Sequence, residues 1–205
     1  MIPFRLQSRP AHEEIPIPYI TFVDKHGKPS WATTHPGRFL KALKEELCAA
    51  CGQRVGKAHF RVFIVQPLQA IRHISLTLPM HMDCAQWMGC NFPTMRADGL
   101  WAAYVTRGFK VVRTPAGPVF LLGTPATREG ITWYTEGRKA TRDEVIEEFD
   151  KIVPLECDRI QKECAASKAT YSMSMGLFER QYKAIVHWLP KEAEEPDKGE
   201  EWKDR

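Results

Sequence analysis

Apolar and polar positions along the chain fall into blocks of different period. Residues 1–14 carry two prolines and no period, and predict an extended arm. Residues 19–23 (YITFV) read as an edge strand, since the prolines before them cannot sit in a central strand. His26-Gly27 marks a turn, and Trp31 begins a second short strand. Phe39, Leu40, Leu43 and Leu47 recur at helical spacing, which predicts a helix from about Pro36 to Leu47 with Thr34 as N-cap. Residues 59–66 (HFRVFIVQ) and 71–78 (IRHISLTL) are rich in β-branched and aromatic residues. Pro67, Leu68, Gln69 and Ala70 separate them, so they predict a hairpin. Pro79 ends it and precedes a short helical pattern, HMDCAQWMG.

Residues 101–125 offer two or three strands, with turns at Arg107-Gly108 and between Pro115 and Pro118. A short strand with Trp133 and Tyr134 follows. Thr141-x-x-Glu144 is a capping box opening a helix with Val145, Ile146, Phe149 and Ile152 or Val153 on one side. Pro154 is expected to stop or kink it. A second helix carries Leu155, Ile160 and Cys164, residues 171–176 (YSMSMG) read as a break, and a last helix runs to Pro190. The fold class is α+β. It divides into an arm with edge strands (1–34), a helix plus zinc module (35–95), a β-rich segment (96–140), a helical segment (141–190) and an acidic tail (191–205). The tail lacks a core pattern and is expected to be disordered or loosely held.

The chemistry concentrates in residues 48–90. Cys48 and Cys51 form a C-x2-C pair followed by Gly52, which permits a tight turn. His81 and Cys84 form an H-x2-C pair at a helix start, where residues three apart share a face. Two tight pairs of soft ligands, separated by a strand-rich spacer, are what a tetrahedral structural Zn2+ site needs. Knuckle, hairpin and helix-borne ligands in that order make a treble-clef-like module. Cys90 is the additional metal-site candidate. Six residues of continuous helix would carry it about 9 Å beyond Cys84, so Cys84 is taken as the ligand and Cys90 as core. A helix break at Gly89 would instead fold Cys90 back.

The chain has 205 residues, 43% of them hydrophobic, enough for a core without a disulfide framework. No charged-then-apolar leader and no apolar run of about 20 residues is visible, so a cytoplasmic protein without a membrane span is expected. Net charge is +4, distributed unevenly. The last fifteen residues hold four basic and seven acidic side chains. That leaves 25 basic against 18 acidic residues in the other 190, a net of +7. A basic body reads first as an ordinary soluble surface and second as a contact for nucleic acid or another acidic partner. Trp101, Tyr104, Trp133 and Tyr134 read first as sheet core and second as a stacking platform for bases.

The common catalytic signatures are missing. There is no G-x-x-x-x-G-K-[ST] loop, no G-x-G-x-x-G turn and no G-x-S-x-G elbow. The deaminase order of H-x-E before P-C-x-x-C is not present either. His59, His73 and Asp83 are the residues from which a metal-dependent nuclease centre would have to be built.

The order CAACGQRVG, LPMHMDCA, then a further Cys near Phe-Pro, resembles a group of proteins encoded by bacterial genomes and phages, whose activity is unassigned. Their pattern is C-x-x-CG, a hairpin, P-x-H-x-x-CA and a later Cys beside a Pro. ITWYTEGRKATRDEV extends the resemblance, which covers about residues 40 to 155. It implies Cys48, Cys51, His81 and Cys84 as metal set, Cys90 as companion, and a mobile-element origin. Cys90-Asn91-Phe92-Pro93 departs from a Cys followed directly by Pro. The expectation is a small zinc-stabilised binding protein with a protein or nucleic-acid partner, in an accessory or counter-defence role. The alternatives are a nuclease or other hydrolase using the hairpin histidines, and a DNA-binding replication or transcription accessory.

Overall fold

The computed structural model describes residues 1–56, 60–97, 99–126 and 130–190. His59 and the acidic tail, residues 191–205, lie outside the described residues. The arm is more structured than its prolines imply. It forms a helical turn, α1 (Phe4–Gln7), then a small ribbon of β1 (Ala11–His12) and β2 (Ile15–Pro16). Burial of Leu6 and Ile17 holds it to the body. Strands β3 (Thr21–Val23) and β4 (Pro29–Thr34) pair around a turn in which Asp24 Oδ1 accepts from the amides of His26 and Lys28. Helix α2 (Pro36–Glu45) is capped by His35, whose Nδ1 accepts from the Arg38 amide at 3.3 Å. Thr34, the expected cap, belongs to β4. The helix stops short of Leu47 because Glu46 turns left-handed, at φ 55°.

The expected hairpin is not formed. Strand β5 (Arg61–Val65) leads into helix α3 (Pro67–Ile71), and then β6 (Ile74–Ser75). Pro67 occupies the first helical turn and the Gln66 amide donates to Gln69 Oε1 at 3.1 Å, so the segment expected to be a turn is a helix. Residues 74–80 still return alongside β5, but the pairing is partial. Val62 and Met80 form a backbone bridge, and the hydroxyls of Ser75 and Thr77 bond the Ile64 carbonyl in place of a ladder.

Next come α4 (Met82–Asn91), α5 (Pro93–Ala97), β7 (Trp101–Thr106), β8 (Phe109–Thr114), β9 (Gly117–Leu122), β10 (Ile131–Thr135) and β11 (Arg138–Lys139). Two antiparallel sheets result, ordered β11-β10-β7-β5 and β6-β9-β8. The chain passes from one to the other at Arg107-Gly108. Strands β5 and β7 are buried along their whole length, so their sequences are apolar on both faces and show little alternation. One face carries Phe63, Tyr104 and Trp133. Phe63 meets Phe109 and Phe120 of the second sheet. The other face carries Trp101 and Tyr134, stacked at 4.4 Å, with Gly89 of α4 directly against the Trp101 ring. All four aromatics of the proposed stacking platform are thus core.

Helix α6 (Arg142–Glu163) starts at the Thr141–Glu144 capping box and continues through Pro154. Pro154 and Asp150, whose carbonyl it leaves unbonded, are both exposed, so water can replace the missing bond. Helix α7 (Lys168–Val186) begins at the Ser167 cap and includes residues 171–176, which are helical and not a break. Trp133 packs edge-on against Phe149 of α6, and Phe149 against Tyr182 of α7. The fold is α+β. Among the described residues no helix is long and apolar enough to cross a membrane.

Candidate metal centre

Cys48, Cys51, His81 and Cys84 come together, with one ligand atom from each lying within 4.8 Å of all the others. Among the described residues this is the one such group of three or more His, Cys, Asp or Glu side chains. The edges of a tetrahedron with metal–sulfur bonds of about 2.3 Å are roughly 3.8 Å long, so the set is near the size that one ion demands. The three cysteines are buried and His81 is half-buried, its ring edge turned to the thiols.

Each pair is positioned by its local backbone. Leu47 and Arg54 bridge as in a tight hairpin. Within it the Cys48 amide donates to the Gln53 carbonyl at 2.8 Å, and the Gly52 amide to the Cys48 carbonyl at 2.9 Å. Gly52 adopts φ 78°, and a Cβ there would fall 2.6 Å from the Tyr19 ring. Both facts call for glycine. The second pair sits where α4 begins. His81 is the N-cap in extended geometry and Cys84 lies in the first turn, where the unpaired amides favour a thiolate. The Ala49 amide bonds the Pro79 carbonyl at 3.2 Å, joining the knuckle to the entry of the second pair.

The tautomer of His81 follows from its partners. Nε2 lies 3.0 Å from the Arg54 carbonyl, which can only accept, so Nε2 carries the hydrogen. In the neutral ring, Nδ1, 3.4 Å from Cys51 Sγ, then presents its lone pair to the thiols. This is the arrangement by which a protein orients a metal-ligating imidazole. Without a cation the thiols compete. Hydrogen bonds from Cys48, Cys84 and His81 drive the Cys51 thiol well below its ordinary range, and those to Cys48 and Cys51, with burial, push Cys84 far up. His81, beside Cys48 and Cys51, is raised to about 10. Crowded thiols can all ionise only around a positive ion.

The supporting contacts come from the arm and carry no motif. Amides of Tyr19 and Ile20 donate to the carbonyls of Ala50 and Ala49. Arg5 of α1 reaches Gln53 Oε1 at 3.2 Å and Asp83 at 3.5 Å. Backbone carbonyls such as that of Arg54 leave no trace in side-chain patterns, so sequence reading had no access to them.

The remaining candidates lie elsewhere. Helix α4 runs on through Gly89, so Cys90 stands six residues beyond Cys84, outside the cluster and half-buried, its thiol raised by burial. Cys157 and Cys164 are on or at the end of α6, beside the core. Asp83 is engaged with Arg5. His73 is paired with Tyr104. The Tyr104 hydroxyl donates to the Gly123 carbonyl at 2.7 Å, so His73 Nδ1, 2.8 Å away, must supply its own hydrogen. Burial lowers the pKa of His73. The hydrolase residues are therefore engaged separately, and His59 is outside the described residues. Comparison with protein-family models, curated proteins and solved structures returned no significant match.

Proposed function

We propose that the chain is a zinc-stabilised binding protein. One Zn2+ is held by Sγ of Cys48, Cys51 and Cys84 and by Nδ1 of His81, and the protein acts by engaging a macromolecular partner. The observation that carries the reading is the completeness of the ligand set. Four protein donors fill a tetrahedral shell and leave no position for a reacting water. Three thiols and an imidazole select a soft, tetrahedral ion over Mg2+ or Ca2+. Knuckle, returning strand and helix-borne pair follow one another as in a treble clef, with α3 inserted where a continuous hairpin would run. A phage- or mobile-element-encoded accessory or counter-defence role is the setting that the sequence resemblance implies.

In this reading the ion is a staple, because its binding energy is gained only when two distant segments meet. Purified protein should contain one Zn2+ per chain, and Cys84→Ala should lose both metal and fold. Hydrogen exchange with and without a strong chelator locates the effect. Protection should fall at residues 47–55, 61–65 and 80–85, while α6 and α7 persist. Retained protection throughout, with loss of a catalytic activity only, would make the site an enzyme centre and overturn the reading.

A further inference from the structure

Strand β8 is the outer strand of the sheet β6-β9-β8, and no described strand pairs with its far side. The Gly123 amide donates to the Gly108 carbonyl at 2.9 Å. Hydrogen-bonded pairs alternate along an antiparallel ladder, so the bonded pairs are 108/123, 110/121, 112/119 and 114/117. The amides and carbonyls of Phe109, Val111 and Arg113 therefore point away from β9. The register is continuous over all six residues, without a bulge to twist the edge away. Phe109, packed on Phe63 and Phe120, anchors the strand from below. The face above is aliphatic and unpartnered. Val112 and Leu121 are 41% and 42% exposed, and Leu76 55%.

Charge selects the occupant. From Gly99 to Ala126 the chain holds Arg107, Lys110 and Arg113 and no acidic residue. Arg107 lies over the Phe60 ring, whereas Lys110 and Arg113 are in no ion pair among the described residues. A second copy would bring two basic strands together, with no acidic residue on either to offset Lys110 and Arg113. A single-stranded nucleic acid would need open aromatic faces to stack on, whereas Phe120 is fully buried and Arg107 lies over the Phe60 ring. An extended acidic peptide meets all three conditions at once, namely free backbone groups, apolar contact and opposite charge.

We propose that β8 is a peptide-docking edge, to which an acidic extended segment of a protein partner adds as a fourth strand. Its backbone bonds to residues 109, 111 and 113. Lys110 and Arg113 stand on opposite faces of β8, so carboxylates on one face of the peptide meet Arg113 while apolar side chains on the other lie beside Val112, flanked by Lys110. The proposal rests on the binding-protein reading and names the class of partner.

The probe is a capped synthetic peptide alternating Glu and Val, compared with its Lys-for-Glu counterpart by NMR titration of the zinc-loaded protein. The Glu peptide should shift and protect the amides of Phe109, Val111 and Arg113, and bind about tenfold more tightly than the Lys peptide at low salt. Lys110→Glu with Arg113→Glu should reverse that preference. Val111→Pro removes only an outward N–H, so metal content and melting should match the parent while peptide affinity falls about tenfold. Equal affinity for both peptides, no binding, undiminished binding by Val111→Pro, tighter binding of an oligothymidine, or self-association through β8 would each overturn the proposal. A protein that keeps its zinc but ignores the peptide sinks this inference alone. Metal content near zero sinks the zinc reading alone.

Discussion

Gly89 shows how packing explains a residue that sequence leaves open. In sequence it offered a helix break as the alternative to a helix running on past Cys84. In the fold it is helical, and an added Cβ would lie 1.4 Å from the Trp101 ring. Trp101 in turn stacks on Tyr134, so the ring has no room to retreat. Gly89→Ala gains helix propensity of about 1 kcal/mol, but overpacking should exceed this, with a net loss near the upper end of about 1–3 kcal/mol. Chemical denaturation checks it, and an unchanged midpoint would mean that the Trp101 ring can move. The same scale explains why the Cys/His cluster was legible. Cysteine and histidine spacing records which side chains share a turn, and residues 48, 51, 81 and 84 converge. It records nothing of the Arg54 carbonyl that orients His81.

Among the elements, those set by local chemistry were readable and those set by distant pairing were not. The Thr141–Glu144 box opens α6 as its sequence implies. Residues 71–78 have strand composition, but the part that is a strand, β6, pairs with β9, more than forty residues on. No local pattern can announce that partner. The α6 cap also yields a pH prediction. Glu144 accepts from Arg138 through both oxygens and from the Thr141 amide, holding its carboxyl at about 2 against an ordinary 4.5. Its folded pKa is depressed, so the stabilisation is complete above 4.5 and is lost as pH falls towards about 2. Wild type should melt above Glu144→Gln near neutrality, and the gap should close across that window. A gap that persists at the acid end would show that the carboxylate charge is not what holds the cap.

For the whole molecule, one buried acid ties the helical segment to α3. Glu156 of α6 is 3% exposed. It accepts from Arg159 at 2.8 and 2.9 Å and from Arg72, which ends α3. Gln181 of α7 donates to the Arg72 carbonyl, so three helices meet at this residue. Glu156→Ala leaves Arg72 without its anion and Arg159 with Glu163 alone. Both are partly exposed and water compensates in part, so a loss of about 2 kcal/mol is expected. A double-mutant cycle with Arg72→Ala should show strong coupling, and additive effects would mean that α6 is held by its apolar contacts alone. The division of the molecule also has a consequence in time. Thirty-three residues separate Cys51 from Cys84. At ordinary rates of synthesis, about 5–20 residues per second, a nascent chain displays the first two thiols for seconds before the second pair emerges. On the zinc reading proposed above, metal loading is thus scheduled by translation. In that interval Cys48 and Cys51 meet the redox state and free zinc of the surrounding cell, so the yield of folded protein should track zinc supply during synthesis.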